Sequence, residues 1–156
     1  MSVAFRRESD EEHKEPKFEI PLPAGPNIVT RRGLALIEAR VAELEAAIAA
    51  EREEEPREAL RRELRYWNTR RTTAEIAPPP EEGVVAIGTR VRLRMGGGER
   101  VIDIVGHDEA DPNAGRLAFS APLAQVLLGG EAGERVDFNG KPEAVEILEI
   151  GAIPEA

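Results

Sequence analysis

Apolar residues recur at Leu34, Ile37, Val41, Leu44 and Ile48, in steps of 3, 4, 3 and 4. That spacing is the a/d seam of a helix meant to lie against another helix. Thr30 stands just ahead of the seam as its N-cap. A charged stretch at 51–55 interrupts the pattern, and Pro56 suits the first turn of a second helix. The seam resumes at Leu60, Leu64 and Trp67, passes Arg71 and reaches Ala74. Folding the chain back at the charged stretch brings together residues whose numbers sum to 108: Ile48 with Leu60, Leu44 with Leu64, Val41 with Trp67, Ile37 with Arg71, Leu34 with Ala74. Every seam position meets another, which predicts an antiparallel helical hairpin (a short coiled coil) over residues 30–77. Glu51 then faces Arg57, and Glu53, Glu54 and Glu55 occupy the tip.

Pro78, Pro79 and Pro80 stop the second helix and stiffen a linker over 78–83. From Val84 the period changes to two. Val91, Leu93 and Met95 alternate with Arg90, Arg92 and Arg94, and Gly96-Gly97-Gly98 turns the chain into a strand around Val101 to Val105. A short alternating strand follows an acidic loop, and Ser120-x-Pro122 starts a helix carrying Leu123, Val126, Leu127 and Leu128. Asn139-Gly140 is a hairpin signal joining 136–138 to a last strand near 143–150. Residues 84–156 therefore read as a small antiparallel sheet with one helix, and the fold class of the chain is α+β.

Residues 1–29 mix charges with Pro16, Pro21, Pro23 and Pro26 and show no sustained period, so they are expected to form a disordered N-terminal arm. Within it Phe18, Ile20 and Leu22 alternate as an added strand would.

Composition narrows the class. The chain has 156 residues and no cysteine, which excludes disulfides and thiolate metal sites. No apolar run reaches the length of a membrane span and no signal-peptide core is present, so a soluble cytoplasmic monomer is expected. The net charge of −9 argues against a plain nucleic-acid binder. Residues 30–76 carry 10 basic and 10 acidic side chains, whereas 77–156 carry 7 basic and 14 acidic. An acidic domain beside a neutral, arginine-rich hairpin suits a protein partner with a basic surface.

Asp108-Glu109-Ala110-Asp111 spells a helicase tetrapeptide, but no G-x-x-x-x-G-K-[ST] cradles a phosphate anywhere in the chain. With only His13 and His107, no histidine-rich metal site forms, and His107 reads as a surface-loop residue. Arg57, Arg61 and Arg65 make a basic stripe on the second helix. They suit ion pairs with the first helix, such as Glu45 with Arg61. Trp67 and Tyr66 read as seam and arm-base packing.

The run G-x-D-E-A-D-P-x-x-G at 106–115, then S-x-P-L at 120–123, A-x-x-L-L-G at 124–129, Gly133-Glu134 and the closing V-E-I-L-E-I at 145–150 resembles the C-terminal domain of the bacterial GreA/GreB transcript-cleavage factors. That resemblance implies an FKBP-like fold for residues 84–156 and RNA polymerase as the partner. It makes Asp108, Glu109, Asp111, Ser120, Pro122 and Leu123 docking candidates. The helical arm would enter the polymerase secondary channel, where tip carboxylates help hold a Mg²⁺ of the polymerase active site and position water. Glu53, Glu54 and Glu55 have that chemistry, and Arg57, Arg61 and Arg65 would face transcript RNA.

The family's tip pattern D-L-[SK]-E-N-A-E-Y is absent and the arm is short. Two readings stay open: a transcription elongation factor that stimulates cleavage, or a non-cleaving regulator that occludes the channel, as in the Rnk-type relatives. In either, the chain is not itself an enzyme and holds no metal or cofactor alone. The FKBP-like fold also allows a peptidyl-prolyl isomerase, for which the C-terminal part supplies only Phe119 and Phe138 as aromatics. A helical-hairpin adaptor for some other partner is the third alternative.

Overall fold

The structure is a computed structural model and describes residues 19–154. Strand β1 (Ile28–Val29) leads into α1 (Arg31–Ala50), which a three-residue tip joins to α2 (Glu54–Thr73). Strand β2 (Glu75–Ile76) follows and pairs with β1 in parallel, tying the two feet of the arm together. The second part comprises β3 (Thr89–Met95), β4 (Gly98–Val105), β5 (Arg116–Ala118), α3 (Pro122–Leu127), β6 (Arg135–Phe138) and β7 (Lys141–Ala152). Among the described residues no helix is long and apolar enough to cross a membrane.

The arm forms for the reasons its sequence suggests. Thr30 accepts a hydrogen bond from the Gly33 amide at 2.9 Å, capping α1. Glu54 and Glu55 lie in the first turn of α2 and Arg70 and Arg71 in its last, each matching the helix dipole. Ile37, Val41 and Leu44 are buried along α1, each contributing about 1.5–3 kcal/mol. At about 1.5 Å per residue, the 20-residue α1 is about 30 Å long. One seam position differs from expectation: Arg70 is buried, and Arg71 is exposed. After Trp67 the packed face advances three residues instead of four, because Arg70 finds a carboxylate partner there and Arg71 would not.

Residues 19–29, expected within a disordered arm, lie beside α2, bend at 24–25 and end in β1. Glu19 accepts two hydrogen bonds from Arg65, both at 2.8 Å, and Asn27 donates to the Arg70 carbonyl at 2.8 Å. The only strand in this stretch is β1, so Ile20 and Leu22 do not form one. Phe18 and the rest of 1–18 lie outside the described residues.

The sheet runs β5-β4-β3-β7-β6. It is mixed, not antiparallel throughout: β5 pairs with β4 in parallel, Ile104 opposite Leu117. A tight turn would have reversed the chain, but the loop between the two strands carries it back before β5 begins. Leu148 is an extra residue where Arg92 and Leu93 face Glu149 and Ile147, a bulge that bends β7. The Asn139-Gly140 turn has positive φ at both residues, as a two-residue hairpin requires.

Val91, Leu93, Ile102, Ile104, Val145 and Ile147 face Leu123, Ala124 and Leu127 of α3 to make the core. The opposite face is a charge ladder. Arg90 donates twice to Asp103, and Arg92 and Arg94 pair with Glu99, Glu149 and Glu146.

Candidate functional site: the arm joint and the docking face

The acidic loop after β4 sits where the arm meets the sheet. Gly106 makes that approach possible, since a Cβ there would lie 2.5 Å from the Ile28 carbonyl oxygen. Beyond it the side chains take opposite directions. Asp108 points into the arm: Tyr66 Oη donates to its Oδ1 at 2.6 Å and Arg70 Nε to its Oδ2 at 2.7 Å. Both the Arg70 and Asp108 side chains are almost wholly buried, at 4% and 6% exposure. Glu109 reaches the other helix. Its Oε1 accepts the Thr30 hydroxyl at 2.6 Å, while Arg32 lies 3.9 Å from Oε2. The Thr30 side chain thus caps α1 and holds the loop at once.

Burial, then the hydrogen bond to Asp108 and its charge, push the Tyr66 phenol up to about 12, with Arg70 opposing in part. At the exposed edge of the arm the hydrogen bond from Arg65 holds the Glu19 carboxyl below the usual carboxylate range. Among the described residues, the side-chain atoms buried without a hydrogen-bond partner are Asn27 Oδ1, Arg70 Nη2, His107 Nδ1 and Glu109 Oε2. All belong to residues of this joint, which is therefore polar where the two halves meet.

His107 takes the other side of the loop. Its Nε2 lies 2.8 Å from Ser120 Oγ and its ring packs on Phe119. Ser120, Pro122 and Val126 are exposed around it, and Gln125 closes the turn by donating to the Phe119 carbonyl at 2.7 Å. This is the accessible part of the expected docking set. Asp111 is exposed too, its carboxylate 3.9 Å from Arg116. Leu123 belongs to the core beneath and is buried. Asp108 and Glu109, also expected to face a partner, have their carboxylates turned inward and engaged by the arm. In this conformation they hold the molecule together. Gly106, the first residue of the 106–115 run, completes the joint with Asn27, Gly33 and Arg70, which the sequence reading did not single out as site residues.

At the tip, Glu53, Glu54 and Glu55 are exposed. Arg61 reaches Glu54 at 3.3 Å and Glu58 at 3.4 Å, both on its own helix, so the expected Glu45 partner is not the one used. Arg57 donates to the backbone carbonyl of Glu51, not to its carboxylate, and so closes the C-terminal end of α1. Arg65 is taken by Glu19 and Glu58. The stripe Arg57, Arg61, Arg65 is thus covered by internal partners. Trp67 lies edge-on to Tyr66 at 5.0 Å. Among the described residues no three His, Asp or Glu side chains converge to hold a metal ion. Phe119 and Phe138 both pack against the domain core.

The family described as transcription elongation factor, GreA/GreB, C-term matches residues 79–152. The transcription elongation factor GreA of Rhizobium etli (strain CIAT 652) is 43% identical over 54 residues, covering 33% of this chain and 34% of that protein. The GreA of Agrobacterium fabrum is 41% identical over the same length, with the same shares covered. The matched segment therefore spans about a third of the length of these relatives. Among solved structures, the GreA factor homolog 1 (Gfh1) of Thermus thermophilus aligns over 82% of this chain and 100% of its own, at 14% identity and a TM-score of 0.38.

Proposed function

We propose that this protein, whose residues 79–152 match the GreA/GreB C-terminal domain, is an RNA polymerase-binding transcription factor whose helical arm enters the secondary channel and occludes it without driving transcript cleavage. The observation that carries the reading is the pairing of that domain with a stiff two-helix arm whose feet are locked to it by Asp108 and Glu109. The domain docks through the exposed surface around His107, Ser120 and Pro122, and its acidic character suits a basic partner surface.

Three features favour occlusion over cleavage. The tip has no aspartate, and Arg61 engages Glu54. Helix α1 reaches only about 30 Å. The arginines that would greet RNA are paired to carboxylates or to a helix end. Any Mg²⁺ and any bond-breaking belong to the polymerase, so this chain acts as a regulator and not as an enzyme. It acts as a cytoplasmic monomer.

The test is capture of RNA polymerase by the tagged chain at near-physiological salt, followed by transcript cleavage in stalled complexes. Binding without cleavage, unaltered when Glu53, Glu54 and Glu55 become alanine, is the expected result. Absence of binding removes the proposal. Cleavage that disappears in the triple variant replaces occlusion with the cleavage-stimulating reading.

A further inference from the structure

We infer that Asp108 is a positioning residue that fixes the direction of the helical arm relative to the docking face. The need for such a residue follows from how the two halves meet. The core of the sheet domain contains no arm residue, and the buried arm residues Ile37, Val41 and Leu44 lie outside it. The halves therefore do not share one apolar core. Apolar contact is non-directional and tolerates sliding, whereas hydrogen bonds carry strict distance and angle requirements. The polar joint must supply the direction.

Within the joint Asp108 is the residue with both oxygens engaged, and both by the same helix. Tyr66 and Arg70 are one turn apart on one face of α2, so two anchor points fix the helix both in rotation and in translation along its axis. Glu109 adds a single hydrogen bond at the N-cap of α1. His107, the residue immediately before, rests on Ser120 and Phe119 at the docking face. One peptide link therefore separates the surface offered to a partner from the carboxylate that aims the arm. The consequence for a polymerase channel rests on the function proposed above; the aiming itself does not.

The chain has no cysteine, so Arg52→Cys at the tip and Arg100→Cys on β4 give two clean sites for nitroxide labels. Both positions are exposed. Pulsed electron spin resonance on the isolated full chain is expected to show one narrow distance distribution. Asp108→Ala should widen it at least twofold, and Tyr66→Phe, which removes one of the two anchors, should widen it less. Retained amide protection of β3 and β4 shows that the domain is still folded. Should Asp108→Ala disturb the domain, the pair Asp108→Leu with Arg70→Met fills the joint with apolar atoms, and the same widening is expected.

An unchanged width in a folded Asp108→Ala chain, or in the apolar pair, overturns the inference. Because no polymerase is present, that outcome leaves the proposed function standing. Failure of the unaltered chain to capture polymerase, with the predicted widening seen in Asp108→Ala, removes the function and leaves the positioning role intact.

Discussion

Tyr66 Oη donates to Asp108 Oδ1 at 2.6 Å, linking the second helix of the arm to a loop of the sheet domain 42 residues away in sequence. Because the chain contains one tyrosine, this bond has its own spectroscopic signal. The phenol, raised to about 12, should titrate well above the ordinary tyrosine value of about 10. The stabilisation it represents is complete below the unfolded value and disappears as pH rises through the folded one. Tyrosinate absorbance should show a midpoint near 12 in the native protein and near 10 in concentrated urea. Asp108→Ala should bring the native midpoint down. A native midpoint near 10 would mean that the bond does not form in solution.

The two joint glycines should respond differently to alanine. At Gly106 the added methyl meets a backbone oxygen at 2.5 Å, which cannot step aside without moving β1. Gly106→Ala should cost about 1–3 kcal/mol in urea unfolding. At Gly33 the nearest atom, at 2.9 Å, is the end of the Glu109 side chain. Moving it breaks the Thr30–Glu109 hydrogen bond, a loss that the gain of about 1 kcal/mol in helix propensity partly offsets, so Gly33→Ala should lower the unfolding midpoint less than Gly106→Ala.

Two arginine truncations separate a buried pair from an exposed one. Arg70→Ala strands the Asp108 carboxylate in a site where both side chains are nearly inaccessible, and should cost about 3–5 kcal/mol. Arg92→Ala breaks contacts to Glu99 and Glu149 on the solvated face of the sheet. Its cost should be small beside that of Arg70→Ala, shrinking further in high salt. Equal losses at the two positions would contradict the burial seen here.

Leu44→Ala should remove about 2–5 kcal/mol from the arm, whereas Leu36→Ala, at a position 45% exposed, should change little. Helical circular dichroism during thermal unfolding would register the difference as an earlier transition for Leu44→Ala alone.

These positions also mark how far the sequence could be read. The 3-4-3-4 spacing on α1, the Thr30 cap, the Asn139-Gly140 hairpin and the Pro122 helix start are local patterns. Each was legible because its physical cause lies within a few residues of chain. What the pattern could not supply was the partner of a charge far away. Arg70 and Arg71 are equivalent to a periodicity count; a carboxylate 38 positions later decides between them. For the same reason the Asp108-Glu109 run read as a surface for another molecule, when its acceptors had already been claimed by Tyr66, Arg70 and Thr30. The parallel pairing of β5 was hidden too, since strand direction depends on the path of the loop and leaves no periodic trace.

The opposed directions of His107 and Asp108 bear on how substitutions in this segment should be scored. A variant at 108 or 109 also removes a hydrogen bond that ties the arm to the sheet domain, so weaker capture by a partner would report that loss as much as lost contact. Changes at the exposed Ser120, Pro122 or Asp111 leave those anchors alone, so under the proposed docking they probe contact with the direction of the rod unchanged.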